Sequence, residues 1–210
     1  MLKNKTLYNK EHNVEFWHIP KNAMTSIIAD LSFFWVPNTQ LPKDRKIFCV
    51  IRNPLDRILS SYLMCRDVLY GPYMSVYNIR NIDPTSDMFN LDKDILKGYQ
   101  DYIDEIINNG PFDTHNIKQV HYIKDYVEPT QPNTIRLFDK ITDFILMDNL
   151  NKELSKLFNK EIVLNKHNEA NPLHIGLKKS LKEITEKNRD RILNYYNEDY
   201  AIYSKLKHKI

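Results

Sequence analysis

Glycine is scarce, with only 4 residues in a chain of 210, and this scarcity excludes several classes of protein. Collagen-like repeats, glycine-rich linkers, the GxGxxG dinucleotide fingerprint and the GxxxxGKS/T phosphate loop all require more glycine at fixed spacings. Long apolar runs are also lacking, since no segment reaches the roughly 18 residues of a membrane span. The start of the sequence, MLKNKTLYNKEHN, has no apolar signal core. We therefore expect a cytoplasmic protein without a membrane span.

Cysteine content and net charge are low as well. Cys49 and Cys65 lie in apolar stretches without metal-ligand spacing, which is typical of buried, reduced thiols, and no metal site is expected. The 30 basic and 27 acidic side chains leave a formal charge of +3, which is too small to indicate binding of nucleic acid as a polyanion. With 42% hydrophobic residues, the chain is expected to fold as a single domain over residues 1–210.

Strands alternate with helices in the predicted first third of the chain. β-formers alternate over residues 14–19, and the apolar run KIFCVI over residues 46–51 is typical of a buried parallel strand. Asn53 has the position of an N-cap before a second helix, with Pro54 at its first helical position. The apolar stripe that predicts the first helix consists of Ile27, Leu31, Phe34 and Trp35. Parallel strands joined by helices imply an α/β sheet.

The remainder of the chain is predicted to be mostly helical. The polar segment 70–92 is expected to be a surface loop and a candidate substrate lid. One further strand is predicted over residues 134–138. Helices are predicted over residues 95–109, 114–127, 143–158 and 181–206. Trp17 and Trp35 are expected in the core, with stacking on a nucleotide base as the less favoured alternative.

The segment FWHIPKNAMTSII, residues 16–28, has the composition of an anion-binding turn. A strand ends, a tight turn carries Lys21, and a helix opens with Thr25 and Ser26. Such a turn directs backbone N–H groups and the positive end of the helix dipole at one place. The pattern predicts a phosphate or sulfate site. An ordinary strand-to-helix turn with Ser/Thr capping is the alternative.

A second segment, IFCVIRNPLDRILSSYL over residues 47–63, places an arginine directly after the buried strand. Arg52 lies at the carboxyl end of that strand, where ligands bind in open α/β sheets. Ser60 follows on the next helix, and both side chains could bind one phosphate. Arg57 is predicted to cap the helix or to form a salt bridge on its surface.

Together, IPKNAMTS and RNPLDRILSSY resemble the two cofactor-binding motifs of sulfotransferases that use 3′-phosphoadenosine 5′-phosphosulfate (PAPS). The resemblance is greatest to the carbohydrate sulfotransferases of the Golgi and their bacterial and viral relatives. In that family hIPKxxxTS holds the 5′-phosphosulfate, and R(D/N)PxxRxxSxY holds the 3′-phosphate. Both motifs occur here in order, each after a predicted strand. Weaker similarities are DTHNIKQVHYI, TIRLFDKITDFI and NYYNEDYAIYSKL.

The resemblance implies a P-loop-like three-layer α/β sandwich, with a short parallel sheet flanked by helices. It implies transfer of a sulfuryl group from PAPS to a hydroxyl acceptor, by family branch a carbohydrate, without a metal. Lys21 would contact the leaving phosphate. The donor-binding residues carried over from the motifs are Pro20, Lys21, Asn22, Ala23, Met24, Thr25, Ser26, Arg52 and Ser60.

The catalytic base is the least defined part of the predicted site. Many family members have a histidine between the two motifs, but residues 27–51 contain none. His115 is the preferred candidate because a helix would place Gln119 and Tyr122 on its face at i+4 and i+7. The alternative is a helix-end residue that binds a backbone group. His18 is expected to support the loop structurally.

Two positions in the loop depart from the family pattern. Ala23 and Met24 replace small residues, often glycine, in many relatives, and a positive φ at either would be strained. Three further functions remain open. They are a catalytically inactive sulfotransferase-fold protein that binds a nucleotide or glycan, a P-loop kinase, and a purely structural α/β protein.

Overall fold

A computed structural model describes residues 5–70, 94–112, 115–124, 140–165 and 177–208 of the chain. The fold is α/β, as predicted, with a mixed sheet and helices. The chain divides into two compact units. The sheet unit comprises Met1–Arg52, Gln119–Asn168 and Ala201–Ile210, and the helical unit comprises Asn53–Lys118 and Glu169–Tyr200. Each is described by itself below, and a single domain over residues 1–210 stays a prediction.

The sheet unit is built on five strands in the order β3-β1-β2-β4-β5. Strands β2 and β4 are parallel, as are β4 and β5, whereas β1 is antiparallel to both β2 and β3. The strands are β1 (Lys5–Asn9), β2 (Val14–Trp17), β3 (Phe34–Pro37), β4 (Lys46–Ile51) and β5 (Asp143–Leu146). Strand β4, flanked on both sides by parallel partners, is almost wholly apolar and buried, as expected of a parallel strand covered on both faces.

The core of the sheet unit forms where helices pack on the sheet. The rings of Phe16 on β2 and Phe48 on β4 stack with their centroids 4.8 Å apart. Leu154 and Phe158 extend the cluster from a helix that follows β5. The helices of this unit are α1 (Met24–Asp30), α4 (Gln119–Lys124) and α5 (Leu150–Phe158). Ile27 from α1 is fully buried in the same cluster, so α1 is fixed to the sheet by apolar burial.

The helical unit has a separate core that is rich in tyrosine. Its helices are α2 (Pro54–Tyr70), α3 (Ile95–Asn109), α6 (Lys178–Lys187) and α7 (Arg189–Tyr195), and α8 (Asn197–Lys207) begins within it. Each buried tyrosine hydroxyl has a partner: Tyr99 pairs with Thr185 at 2.9 Å and Tyr102 with Ser61 at 2.7 Å. Burial raises the pKa of Tyr62 to about 12. These hydroxyls therefore act as neutral hydrogen-bonding groups.

Several predicted elements are confirmed. The strand over residues 14–19 is present as Val14–Trp17, and the strand over residues 46–51 as Lys46–Ile51. Helix α2 begins at Pro54, and Asn53 caps it, because its side-chain oxygen accepts from the Leu55 N–H at 3.0 Å. The predicted helix over residues 95–109 is α3. The predicted strand 134–138 and most of the predicted surface loop 70–92 lie outside the described residues.

The first predicted helix is wrong in its second half. Helix α1 ends at Asp30, Ser32 has a φ of 51°, and the chain then forms β3. The aromatic, β-branched stretch FWVP favours a strand, and pairing with β1 outweighs the apparent helical stripe. Phe34 and Trp35 are consequently 66% and 37% exposed on an edge strand, so the expectation that Trp35 lies in the core is wrong.

Three further helix predictions need correction. The predicted helix 143–158 is strand β5, a 3₁₀ turn at Met147–Asn149 and then α5. The predicted helix 181–206 is interrupted near Asn188, whose side-chain amide bonds to Gln100 at 2.7 Å and to Ile184 O at 3.0 Å. Such side-chain bonds compete with helix continuation. In the predicted helix 114–127, residues 115–118 form a turn, and α4 begins at Gln119.

Candidate functional site

The loop between β2 and α1, residues 18–23, has an unusual backbone for its sequence. The N–H of Asn22 donates to Ile19 O at 3.2 Å, which closes a tight turn. Lys21 and Ala23 have φ values of 71° and 63°, the left-handed region that non-glycine residues seldom adopt. Each such residue costs on the order of 1 kcal/mol or more and persists only where its surroundings impose it. The residues that surround this loop must therefore hold Lys21 and Ala23 in this conformation.

Asn22 ties the loop to strand β4. Its side chain is fully buried, and Nδ2 donates to Val50 O at 2.6 Å and to Gln119 Oε1 at 2.7 Å. A buried amide with two such bonds fixes the turn firmly, because breaking them would leave polar groups unsatisfied away from water. The resemblance assigned Asn22 to cofactor binding. In the structure its amide nitrogen holds the loop against β4 and α4.

Arg52 lies at the end of β4 and reaches the same loop. Its Nη1 donates to Lys21 O at 2.9 Å. Its backbone is held by Gln119, whose Oε1 accepts from the Arg52 N–H at 3.0 Å and whose Nε2 donates to Arg52 O at 2.8 Å. Lys21 and Arg52, one from each motif, are thus in contact at the carboxyl ends of β2 and β4. Both side chains are half-buried.

The charges at this edge suit an anion. The loop sequence HIPKNA and the strand end IRN contain Lys21 and Arg52 and no carboxylate. An ammonium and a guanidinium at one edge favour phosphate or sulfate, for which both side chains are common ligands. The phosphosulfate and phosphate groups of PAPS have this chemistry, so the residues present fit the donor in charge and in donor type.

The start of α1 differs from the prediction that Thr25 and Ser26 open the helix. The helix begins at Met24, and the capping position is Ala23, which supplies no side-chain acceptor. Thr25 is exposed and Ser26 is half-exposed on the first turn, and Pro20 is half-buried in the loop. Ala23 and Met24 pack against the core of the sheet unit. The predicted roles of Pro20, Ala23, Met24, Thr25 and Ser26 at the donor stay predictions.

Ser60 and His115 belong to the helical unit. Ser60 is half-buried on α2, and its convergence with Arg52 on one phosphate stays a prediction. His115 lies in the turn before α4, so its predicted helical face with Gln119 and Tyr122 is not formed. Its proposed role as a base cannot use that arrangement.

The turn that carries His115 is held by two long side chains. Tyr196 Oη donates to Asn116 O at 2.6 Å, and Arg57 Nη1 donates to Ile117 O at 2.7 Å. Arg57 is only 2% exposed, so the prediction of a surface residue is wrong. The sequence did contain a signal, since Arg57 lies three residues after Pro54 and four before Ser61, two positions of the buried face of α2.

His18 precedes the loop directly and is mostly buried. Its ring meets the Trp35 ring edge-on, with the centroids 5.3 Å apart. Burial lowers the pKa of His18 below its ordinary value, because an imidazolium would lose its hydration. On the neighbouring residue, Trp17 Nε1 donates to Tyr122 O at 2.9 Å. Both rings help to fix the end of β2.

Gln119 is the site residue whose role the sequence did not reveal. It is 1% exposed at the start of α4, and its side chain bonds to Asn22 and to both backbone groups of Arg52. The segment DTHNIKQVHYI resembles a family segment, but its helical spacing predicts that Gln119 lies beside His115. A contact between residues 67 apart leaves no periodic signal in sequence.

In the part of the chain that the structure describes, no group of three His, Cys, Asp or Glu residues is placed to hold a metal. Within the same residues, no helix is long and apolar enough to cross a membrane. Comparisons of the chain with protein-family models, with curated proteins and with solved structures find no match.

Proposed function

We propose that this chain is a PAPS-dependent sulfotransferase that transfers a sulfuryl group to an acceptor hydroxyl, with a carbohydrate as the acceptor class. The proposal includes a P-loop-like three-layer sandwich as its architecture. One observation carries it: Arg52 Nη1 donates to Lys21 O at 2.9 Å, across 31 residues of sequence. The two segments that resemble the donor-binding motifs are thereby in direct contact at the carboxyl edge of β2 and β4.

Lys21 and Arg52 have distinct roles in this proposal. Lys21 carries a compact ammonium on a long, flexible stem, which suits a phosphate oxygen whose charge changes during reaction. Arg52 is more strongly positioned, by its own bond to Lys21 O and by the bonds of its backbone to Gln119. A guanidinium has five N–H donors, so the bond to Lys21 O is compatible with binding a phosphate as well.

The bound donor would supply a sulfuryl group whose S–O bond to phosphate breaks as a new S–O bond to the acceptor oxygen forms. Lys21 would stabilise the negative charge on the phosphate, which would take the electron pair of the broken bond. The acceptor hydroxyl loses its proton to a general base. His115 remains the proposed base, since an imidazole can accept a proton near neutral pH.

A binding protein without turnover is the second candidate. It is favoured by the turn at residues 115–118, which removes the helical face predicted for His115. In this alternative Lys21 and Arg52 bind a nucleotide or a sulfated glycan, and no transfer follows.

Acceptor-dependent release of 3′-phosphoadenosine 5′-phosphate (PAP) from PAPS distinguishes the two candidates. The protein is incubated with PAPS and a panel of unsulfated glycans, and PAP is quantified by chromatography. We expect release with at least one glycan. Lys21→Ala should lower kcat by roughly 100-fold or more, the usual cost of removing a transition-state charge partner. Lys43→Ala, the same change at an exposed lysine, should leave kcat unchanged.

Two other results would contradict parts of this proposal. PAP binding without release in the presence of any glycan would support the binding protein. An equal effect of Lys21→Ala and Lys43→Ala on kcat would contradict the role given to Lys21.

A further inference from the structure

We infer that Gln119 is a positioning residue that joins the Lys21 loop and Arg52 into one ligand-binding unit. Its side-chain amide makes three hydrogen bonds, one with Asn22 and two with the backbone of Arg52. The identity of the ligand rests on the proposed function. The coupling between the loop and Arg52 rests on these bonds alone.

The three bonds engage both polar atoms of the Gln119 side-chain amide. Oε1 accepts from Asn22 Nδ2 at 2.7 Å and from the Arg52 N–H at 3.0 Å, which occupies both of its lone pairs. Nε2 donates to Arg52 O at 2.8 Å. The N–H and C=O of Arg52 are therefore paired as they would be by a neighbouring strand. Gln119 extends the ordering of β4 by one residue beyond its end at Ile51.

These hydrogen bonds, together with the covalent link between Lys21 and Asn22, form a closed ring of interactions. Gln119 holds Asn22, Asn22 is covalently next to Lys21, Lys21 O accepts from Arg52 Nη1, and the Arg52 backbone returns to Gln119. Displacing Arg52 would disturb the loop, and displacing the loop would disturb Arg52. A ligand that contacts both cations thus meets a pre-formed pair and does not have to order two independent segments.

A buried amide could also serve stability alone, since buried polar groups are generally paired. The two roles differ in what they do to ligand binding. A residue that only stabilises the fold lowers the free energy of unfolding, and its effect on binding is independent of Arg52. A residue that couples two binding segments loses much of its effect once either segment no longer contacts the ligand.

Calorimetric titration with PAP separates these roles. Gln119→Met keeps the length of the side chain and removes its hydrogen bonds, and we expect it to raise the Kd by on the order of 10-fold. In the Arg52→Ala background the same change should raise Kd by less than about threefold, as expected of coupled residues. Gln40→Met, the same substitution at an exposed glutamine, should leave Kd unchanged. A multiplicative loss in the double variant, or an unchanged Kd in Gln119→Met, would overturn the inference.

Gln119→Glu serves as a second variant if Gln119→Met fails to fold. An ionised glutamate keeps the acceptor for Asn22 and the Arg52 N–H but cannot donate to Arg52 O. It should therefore weaken PAP binding in the wild-type background and much less in Arg52→Ala, with Gln40→Glu as the control for the added charge.

Amide hydrogen exchange without any ligand tests the coupling separately from the function. In Gln119→Met, or in Gln119→Glu if that variant replaces it, we expect faster exchange at the amides of residues 19 and 21–23 and of Arg52 together, while residues 47–51 of β4 remain slow. Unchanged exchange at these residues would overturn the inference. If the wild-type protein binds no PAP but the Gln119 variant shows this exchange pattern, the proposed function fails and the coupling stands.

Discussion

His18 links the loop to the pH dependence of stability. Its burial against aromatic rings disfavours the charged imidazole, so its pKa in the folded protein is below the ordinary value of 6.5. Between that value and the lower folded-state pKa, the unfolded chain therefore binds more protons than the folded protein. As the pH falls from 6.5 through the folded-state pKa, protonation of His18 in the unfolded chain lowers the free energy of unfolding. Below the folded-state pKa this contribution no longer changes with pH.

His18→Gln should remove this contribution. We expect the free energy of unfolding of the wild-type protein to fall more steeply between pH 7 and pH 5 than that of the variant, in urea titrations at matched ionic strength. His121→Gln, at an exposed histidine of α4, should keep the wild-type slope. A His18→Gln curve parallel to the wild type would mean that His18 is protonated with equal ease in both states.

The sequence indicates which residues belong to the candidate site better than it indicates which residues they bond to. Lys21 and Arg52 were identified because cations after the ends of parallel strands point to anion binding. For Gln119 the helical spacing predicts a place beside His115, whereas its bonds join it to Asn22 and Arg52, which are 97 and 67 positions away. Hydrogen bonds between such distant residues leave no pattern in the local sequence. Each of the motifs around Lys21 and Arg52, by contrast, is one continuous segment.

At the scale of elements, Arg57 joins helix α2 to the turn before α4. Its guanidinium is buried and donates to Ile117 O at 2.7 Å. Burial raises the pKa of Tyr196, and the positive charge of Arg57 offsets part of that rise. A buried arginine bonded to a backbone carbonyl fixes the turn while satisfying a polar group that would otherwise be desolvated. The position of His115 therefore depends on α2.

Arg57→Leu should destabilise the protein by about 2–3 kcal/mol, the range for losing a buried hydrogen bond to a charged group. The measurement is urea unfolding, with Arg189→Leu as the matched control. Arg189, the first residue of α7, is exposed and paired with Glu186 near the end of α6, so its loss should change the free energy of unfolding by less than about 1 kcal/mol. Equal losses in the two variants would contradict the structural role given to Arg57.

Elements with a strong local pattern were predicted correctly, and those fixed by distant pairing were not. The apolar run of β4 and the capped start of α2 are local signals. Strand β3 carries the residues of an apparent helical stripe, and it exists because it pairs with β1. Strand β5 falls where the spacing predicts the first turns of a helix. Its partner β4 lies about 95 residues earlier in the chain, the separation of the bond between Ile47 and Thr142, so no local pattern indicates the strand.

At the scale of the whole molecule, the predicted donor-site residues divide between two compact units. The sheet unit contains Lys21 and Arg52, and the helical unit contains Ser60 and His115. Each unit has its own apolar core, so each is stabilised by its own burial. In the proposed function, anion binding by Lys21 and Arg52 uses residues of the sheet unit alone.

Calorimetric titration of the whole chain with PAP, beside ATP with Mg²⁺, tests the central claim most directly. The account predicts micromolar binding of PAP and weaker binding of ATP. It also predicts that Arg52→Ala weakens PAP binding by on the order of 10-fold or more, since a charge-assisted contact is lost, while Arg189→Ala leaves it unchanged. A preference for ATP would favour a phosphoryl-transfer enzyme, and no binding of PAP would contradict a donor site at Lys21 and Arg52.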